Sequence, residues 1–207
     1  MKLLKGFIIF FAIQLLCLSR QELYGQLYYD SGAIKAEGNW ESDLKEGKWT
    51  FYYPSGQKSS IEFYQRDQLH GKAVYYDPDG HVIGEEHWIN GIQWDQAVYY
   101  YGNGQVEKSG YFENGLYEGE WSFFHANGQL KRKVKYRNGL LEGVWKYYNE
   151  DGILIQSGFY ELGKETGHWS FFSDTGELAY EGSYLDGQRI GEWFRITKGG
   201  KRKRIKY

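Results

Sequence analysis

The residues of this chain that could do chemistry are five histidines, a set of turn carboxylates and one cysteine, and their spacing argues against most of it. His81 and His87 share parity on one expected strand. Six residues of extended chain span about 20 Å, too far for both to hold one metal. His70 and His168 flank glycines and His125 lies in a turn, so exposed strand or loop histidines are expected. Asp30, Asp77, Asp79, Asp151 and Asp174 fall at turn positions, where Asp caps its own backbone and tolerates unusual dihedrals. Asp77 and Asp79 together could hold Ca²⁺ weakly, but no acidic ligand set recurs along the chain. The sequence has no Gly-x-Ser-x-Gly elbow, phosphate loop or Cys/His dyad. Cys17 is the single cysteine, which excludes an intramolecular disulfide and a Cys-rich zinc site. The expectation is a protein that is not an enzyme and needs no metal or cofactor.

Composition says what must position these residues. Aromatics reach 19% and glycines number 28 in 207 residues, while mean hydropathy is −0.68. A thick aliphatic core is therefore not expected, and tyrosine and tryptophan must supply the buried area. Disordered chains are poor in aromatics, so disorder is a poor fit. A net charge of −2 gives no electrostatic reason to expect nucleic acid.

Residues 1–25 read as an export signal. Lys2 and Lys5 precede an apolar run from Gly6 to Leu18 broken only by Gln14, the length of a signal-peptide core and short for a membrane span. Cleavage after Gly25 is the expectation and a cut after Ser19 its rival. An uncleaved anchor and lipidation at Cys17, which follows the bulky Leu16, are further alternatives. Loss of Lys2, Lys5, Arg20 and Glu22 takes the net charge from −2 to −4. The expected location is periplasmic, outer-envelope associated or secreted.

The rest, 26–207, is periodic. Gly32, Gly56, Gly80, Gly104, Gly128, Gly152, Gly176 and Gly200 stand 24 residues apart without an insertion. A second glycine recurs at Gly47, Gly71, Gly119, Gly143, Gly167 and Gly191, with Asp95 the exception. Two residues later come Trp49, Trp121, Trp145, Trp169 and Trp193, with Ala73 and Ala97 the exceptions. A third aromatic column (Trp40, Tyr64, Trp88, Phe112, Tyr136, Tyr160, Tyr184) never fails. Alternation such as Glu120-Trp121-Ser122-Phe123, followed by Asn127-Gly128, predicts a hairpin with a tight turn in each unit. The expected fold is all-β: one elongated, twisted antiparallel sheet of tandem 24-residue hairpins. Seven units and a truncated eighth, at about 4.8 Å per strand, would extend roughly 65–75 Å.

Tyr180-Glu181-Gly182-Ser183-Tyr184-Leu185-Asp186-Gly187-Gln188-Arg189-Ile190-Gly191 resembles the MORN repeat (membrane occupation and recognition nexus). Gly110-Tyr111-Phe112-Glu113-Asn114-Gly115 and Gly158-Phe159-Tyr160 match its centre. The longer period and Phe/Tyr-rich turn are similar to the bacterial MORN repeat variant, often labelled antitoxin-like. The resemblance implies a hairpin-repeat fold and roles in phospholipid binding, membrane junctions, dimerisation or protein scaffolding. Glu62, Glu86 and Val134 depart from its central glycine, and Asp43 and Asp67 from a loop glycine.

Two places are candidates for a binding surface. The tryptophans share strand parity with Phe51, Tyr75, Tyr99, Phe123, Tyr147 and Phe171, and these should form the core, so that Trp145→Ala costs roughly 3–5 kcal/mol and more than Tyr100→Ala. The neighbouring column, Tyr52, Tyr76, Tyr100, Phe124, Tyr148 and Phe172, points to the opposite face, either as a binding ladder or as cover over the turns. The second place is where tryptophan is lost at Ala73 and Ala97, with Trp94 nearby as a compensating ring. The tail Lys201-Arg202-Lys203-Arg204-Ile205-Lys206-Tyr207 falls where the return strand of unit eight belongs, so its cations guard a sheet edge or attract a membrane surface. The expectation is a non-enzymatic extracytoplasmic scaffold binding a protein or its own copy. The alternative is a module for anionic lipid headgroups or cell-surface glycans.

Overall fold

A computed structural model of the chain describes residues 23–206; the export signal expected over 1–25 lies largely outside them. The described chain is all strand and turn. The strands are β1 (Leu23–Tyr28), β2 (Ile34–Glu41), β3 (Leu44–Tyr52), β4 (Lys58–Gln65), β5 (Gln68–Leu69), β6 (Gly71–Tyr76), β7 (Val82–Ile89), β8 (Ile92–Gln93) and β9 (Asp95–Tyr100). They continue with β10 (Val106–Glu113), β11 (Leu116–Phe124), β12 (Leu130–Arg137), β13 (Leu140–Tyr148), β14 (Leu154–Glu161), β15 (Lys164–Phe172), β16 (Leu178–Leu185), β17 (Gln188–Ile196) and β18 (Arg202–Ile205). All belong to one open antiparallel sheet in which neighbours in sequence are neighbours in space. His70 and Trp94 interrupt the strands that β5/β6 and β8/β9 would otherwise form.

Strand β1 begins at Leu23, and Leu23, Tyr24 and Gly25 pair with Trp40, Asn39 and Gly38. A cut after Gly25 would fall inside this strand, whereas a cut after Ser19 would leave it whole. At the other edge, Ile205, Arg204, Lys203 and Arg202 pair with Trp193, Phe194, Arg195 and Ile196, so the basic tail is the sheet's last strand.

Each unit has two turns of different kinds. At Asn127-Gly128 only the glycine has positive φ (84°), and the Gly128 N–H donates to the His125 carbonyl at 2.8 Å. That is a type I turn closed by a left-handed glycine: the tight turn expected at Asn127-Gly128 is there, with the glycine alone supplying positive φ. The two-residue turns stand at the opposite edge. Both central residues have positive φ at Ser42-Asp43, Arg66-Asp67, Asn90-Gly91, Asn114-Gly115, Asn138-Gly139, Leu162-Gly163 and Asp186-Gly187, the type I′ geometry that matches strand twist. Asp43 and Asp67 therefore replace glycine without changing the turn, because Asp is among the residues that visit this region.

The core lies on one face. Trp49, Trp121 and Trp193 are its largest fully buried side chains, and Trp121 packs edge-on against Phe112 at 5.3 Å and flat against Tyr117 at 3.8 Å. What admits these rings is the residue directly across the strand pair, eleven positions earlier. A Cβ on Gly110 would lie 2.2 Å from the ring of Trp121, and the same holds for Gly158 with Trp169. Where the tryptophan is Ala73 or Ala97, the residue eleven positions earlier is Glu62 or Glu86. The two departures noted in the sequence are thus one: large-over-small is inverted to small-under-large. The carboxylate of Glu86 is buried and accepts from Tyr99 Oη at 2.5 Å and Trp88 Nε1 at 3.0 Å. Glu62 accepts from Tyr64 Oη at 2.5 Å and Ser60 Oγ at 2.7 Å. At Val134 the compensation is incomplete. Trp145 stays half-buried and its Nε1 reaches Gln156 Oε1 at 3.3 Å, whereas Trp121 donates to the Tyr111 carbonyl at 3.0 Å. Trp145 is therefore not the best-packed tryptophan, and the largest truncation cost belongs to Trp49, Trp121 and Trp193.

Candidate interaction surfaces

The histidines do not converge. His81 and His168 are exposed, His87 Nδ1 donates to the Gln96 carbonyl at 2.9 Å, and His70 lies 3.3 Å from Asn90 Oδ1. His125 corrects the expectation of an exposed turn histidine: it is 8% exposed, and its Nε2 donates to the Tyr148 carbonyl at 2.9 Å. It belongs to a ladder that clamps consecutive turns. Tyr29 Oη donates to the Tyr52 carbonyl, Tyr53 Oη to Tyr76 and Tyr101 Oη to Phe124, each one unit ahead. Asn103 Nδ2 and Asn127 Nδ2 reach the Ala126 and Glu150 carbonyls in the same way. Sequence reasoning missed this ladder, although polar side chains recurring in one turn column were its signal.

Asp77, Asp79 and His81 bring three ligand-type atoms within 4.8 Å of one another. Asp77 Oδ1 accepts from the backbone N–H groups of Asp79 and His81, and its Oδ2 lies 3.2 Å from His81 Nδ1. Partial desolvation raises the Asp77 carboxyl, but the hydrogen bonds from His81 outweigh it and hold it below its ordinary value. This is the geometry of a turn capped by its own aspartate.

The second aromatic column lies where parity put it. Tyr52, Tyr76, Tyr100, Phe124, Tyr148 and Phe172 are all half-buried on the face away from the tryptophans. Tyr52 Oη donates to Glu37 Oε1 at 2.5 Å. That bond, with some burial, pushes the phenol up to about 12 and, reinforced by Gln26, holds Glu37 below its ordinary range. Tyr100 is likewise raised, by burial and then by Glu85. Trp94 does not compensate for the missing tryptophans. Its N–H bonds the His87 carbonyl, which places it opposite His87 on this second face, 37% exposed. It stands six residues from Tyr100, about 20 Å along the strand, so the structure does not bring the five candidate residues into one patch.

The same face carries a row that sequence reasoning passed over. Phe63, Tyr111 and Phe159 are 40%, 51% and 49% exposed, paired across strands with Lys48, Gln96 and Val144. Back-to-back aromatics (Phe63-Tyr64, Tyr111-Phe112, Phe159-Tyr160) were the signal, because alternation sends one ring to each face. Phe63, Tyr111 and Phe159 are four strands apart, about 19 Å.

Cations cover the tryptophan face. Lys45 Nζ lies 5.1, 4.9 and 4.6 Å from the rings of Trp49, Phe51 and Tyr64, and Arg189 lies 4.5 Å from Trp193. The tail's cations are engaged locally, Arg202 with Glu181 and Arg204 with Glu192, each at 2.9 Å.

Tandem hairpins that bury one aromatic face in a single open sheet define a β-repeat protein. The family model described as MORN repeat variant matches residues 45–66, 69–90, 117–138, 141–162 and 165–186, and the chain belongs to that family. The unmatched stretch 93–114 holds Trp94 and, in place of the repeat glycine, Asp95. No curated protein sequence matches the chain. Among solved structures, a porin-like protein from Bacteroides uniformis ATCC 8492 aligns over 89% of this chain and 92% of its own at 9% identity, with a TM-score of 0.21. A TcdB2-TccC3 structure lacking the hypervariable C-terminal region aligns over 86% of this chain and 13% of its own at 14% identity and TM-score 0.19. Scores this low show no shared overall shape, and this chain spans only a small part of the second.

Proposed function

We propose that this chain is a non-enzymatic scaffold of the cell envelope that docks a protein across the second face of its sheet. Its family is a repeat type that serves protein or membrane binding. The observation that carries the reading is the row Phe63, Tyr111 and Phe159, with Trp94 and Val144, exposed on one face of an open sheet while Trp49, Trp121, Trp169 and Trp193 of the other face are buried. Exposed aromatics fixed on a rigid strand are the side chains that dominate protein interfaces. Single exposed apolar residues are ordinary; five on one face at strand-defined spacing supply separate anchors. The leader expected over 1–25 supports an extracytoplasmic place.

Mild crosslinking in cells followed by affinity capture of the full chain tests this. A protein, or a second copy of the chain, should be recovered reproducibly, and Phe63→Ser with Phe159→Ser should reduce recovery several-fold. Unchanged recovery from that variant would overturn the assignment of the face. A second reading, binding of anionic lipid headgroups or glycans, is favoured in its lipid form by the basic edge strand from Arg202 and in its glycan form by the cationic and aromatic lining of the tryptophan face. Vesicle flotation with anionic lipid decides the lipid form: neutralising Lys201 to Arg204 should weaken attachment, and no change would sink it.

A further inference from the structure

A cavity of about 330 Å³ opens on the tryptophan face over β10, β11 and β12, with Lys108, Lys131 and Arg132 in its wall and Glu107 as its one carboxylate. We propose that it binds a carboxylate-bearing sugar residue, such as a uronate within an acidic glycan. The site lies across the sheet from the protein-docking row; it rests on the glycan form of the second reading and gives it a place and a ligand class.

Among the described residues none of the three cations forms an ion pair, which leaves net positive charge in the wall. Arg132 is held with its guanidinium 4.0 Å from the Phe123 ring, and its Nε is buried without an acceptor. A guanidinium fork fixed against aromatic rings, 4.0 Å from Phe123 and 5.7 Å from Trp145, is a receptor for a planar carboxylate. Lys108 Nζ donates to Tyr117 Oη at 2.9 Å and lies 4.3 Å from the Tyr99 ring, so the Tyr117 hydroxyl proton remains to donate outward. Burial raises the Tyr136 phenol, and the neighbouring Arg132 charge works against that rise; the hydroxyl stays a donor at neutral pH.

The aromatic wall separates ligand classes. Phe123 and Tyr117 line the cavity with ring carbon beside the cations, apolar wall for the C–H groups of a sugar, while Glu107 and the phenols match its hydroxyls. A bare oxyanion would use the cations alone. The volume sits at the lower end of small-molecule sites, which suits one or two sugar rings and not a long peptide.

Calorimetric titration of the full chain with digalacturonate tests the site, alongside its dimethyl ester, inorganic phosphate and a triglutamate peptide. Saturable binding of digalacturonate is expected, at least tenfold tighter than for the other three. Arg132→Met should weaken it at least tenfold, and Lys108→Met and Lys131→Met read the same loss should the arginine variant fail to fold. None of these should alter capture through the second face. Absence of saturation, equal binding of the ester, tighter binding of phosphate or peptide, or full affinity in the folded variants would overturn the proposal.

Discussion

At the scale of single residues, the fold depends on which side chains accept a left-handed backbone and which leave room for a ring. Leu162 sits at φ 48° in its type I′ turn, 67% exposed, where three other units have Asn. A left-handed leucine costs of order 1 kcal/mol that Asn largely avoids. Leu162→Asn is therefore expected to stabilise the chain by about 0.5–1 kcal/mol, read from the denaturant midpoint; a loss would show that Leu162 makes contacts that outweigh its strain. Gly110 has the opposite constraint, since an added Cβ would meet the buried Trp121 ring. Trp121→Ala should cost about 3–5 kcal/mol, with Trp145→Ala distinctly less because Val134 already keeps that ring partly exposed. The same measurement on both variants checks the order. Glycine and tryptophan columns were legible in the sequence because a strict period exposes them. The buried place of His125 was not, because its hydrogen bond to Tyr148 spans 23 residues and only the stacking of consecutive turns creates it.

At the scale of the hairpin, the exchange of Trp-over-Gly for Ala-under-Glu makes a coupling prediction. Ala97→Trp alone should destabilise strongly, because the indole meets Glu86. Glu86→Gly alone removes the acceptor of Tyr99 and Trp88. The double variant recreates the pair found at Gly110 and Trp121, and should recover at least about 1 kcal/mol relative to the sum of the single changes. Additive losses would break the pairing rule. Both columns were visible in the sequence, but their linkage needed the cross-strand register, which a one-dimensional reading of departures does not supply.

The tyrosine–carboxylate pairs also fix a pH response. Tyr52 is pushed up to about 12 by its bond to Glu37, and Tyr160 to about 12 by burial and Glu165. Tyr64, Tyr75 and Tyr99 are raised as well, chiefly by burial and then by Glu62 or Glu86. A phenol whose folded pKa lies above its unfolded value of about 10 favours the fold below that pH, and the contribution fades as pH rises through the folded value. Thermal midpoints should hold steady to about pH 9.5 and fall between about 10 and 12, with a lagging fraction of tyrosinate absorbance at 295 nm. Phenols that all titrated near their ordinary value would contradict these pairs.

At the scale of the whole molecule, the chain is one sheet with two unlike faces and two unlike edges. One face buries tryptophan under tyrosine, lysine and arginine; the other presents Phe63, Tyr111 and Phe159. The basic β18 closes one end, its like charges discouraging edge-to-edge growth, while β1 carries no charged residue between Leu23 and Tyr28. The single-sheet architecture followed from the 24-residue period, since each hairpin can bury its aromatic face only alongside its neighbours. The exposed row was harder to see than the half-buried Tyr76, Tyr100, Phe124 and Tyr148 column, because back-to-back aromatics look like one core pair until the strand is built.

The central claim is that this second face docks a protein, and reconstitution from purified parts measures it most directly. The protein recovered by crosslinking, purified separately, should bind the purified full chain in calorimetry at micromolar affinity or tighter, and Phe63→Ser with Phe159→Ser should weaken binding by at least tenfold. Undiminished affinity in that variant, or no binding without a membrane present, would contradict the account.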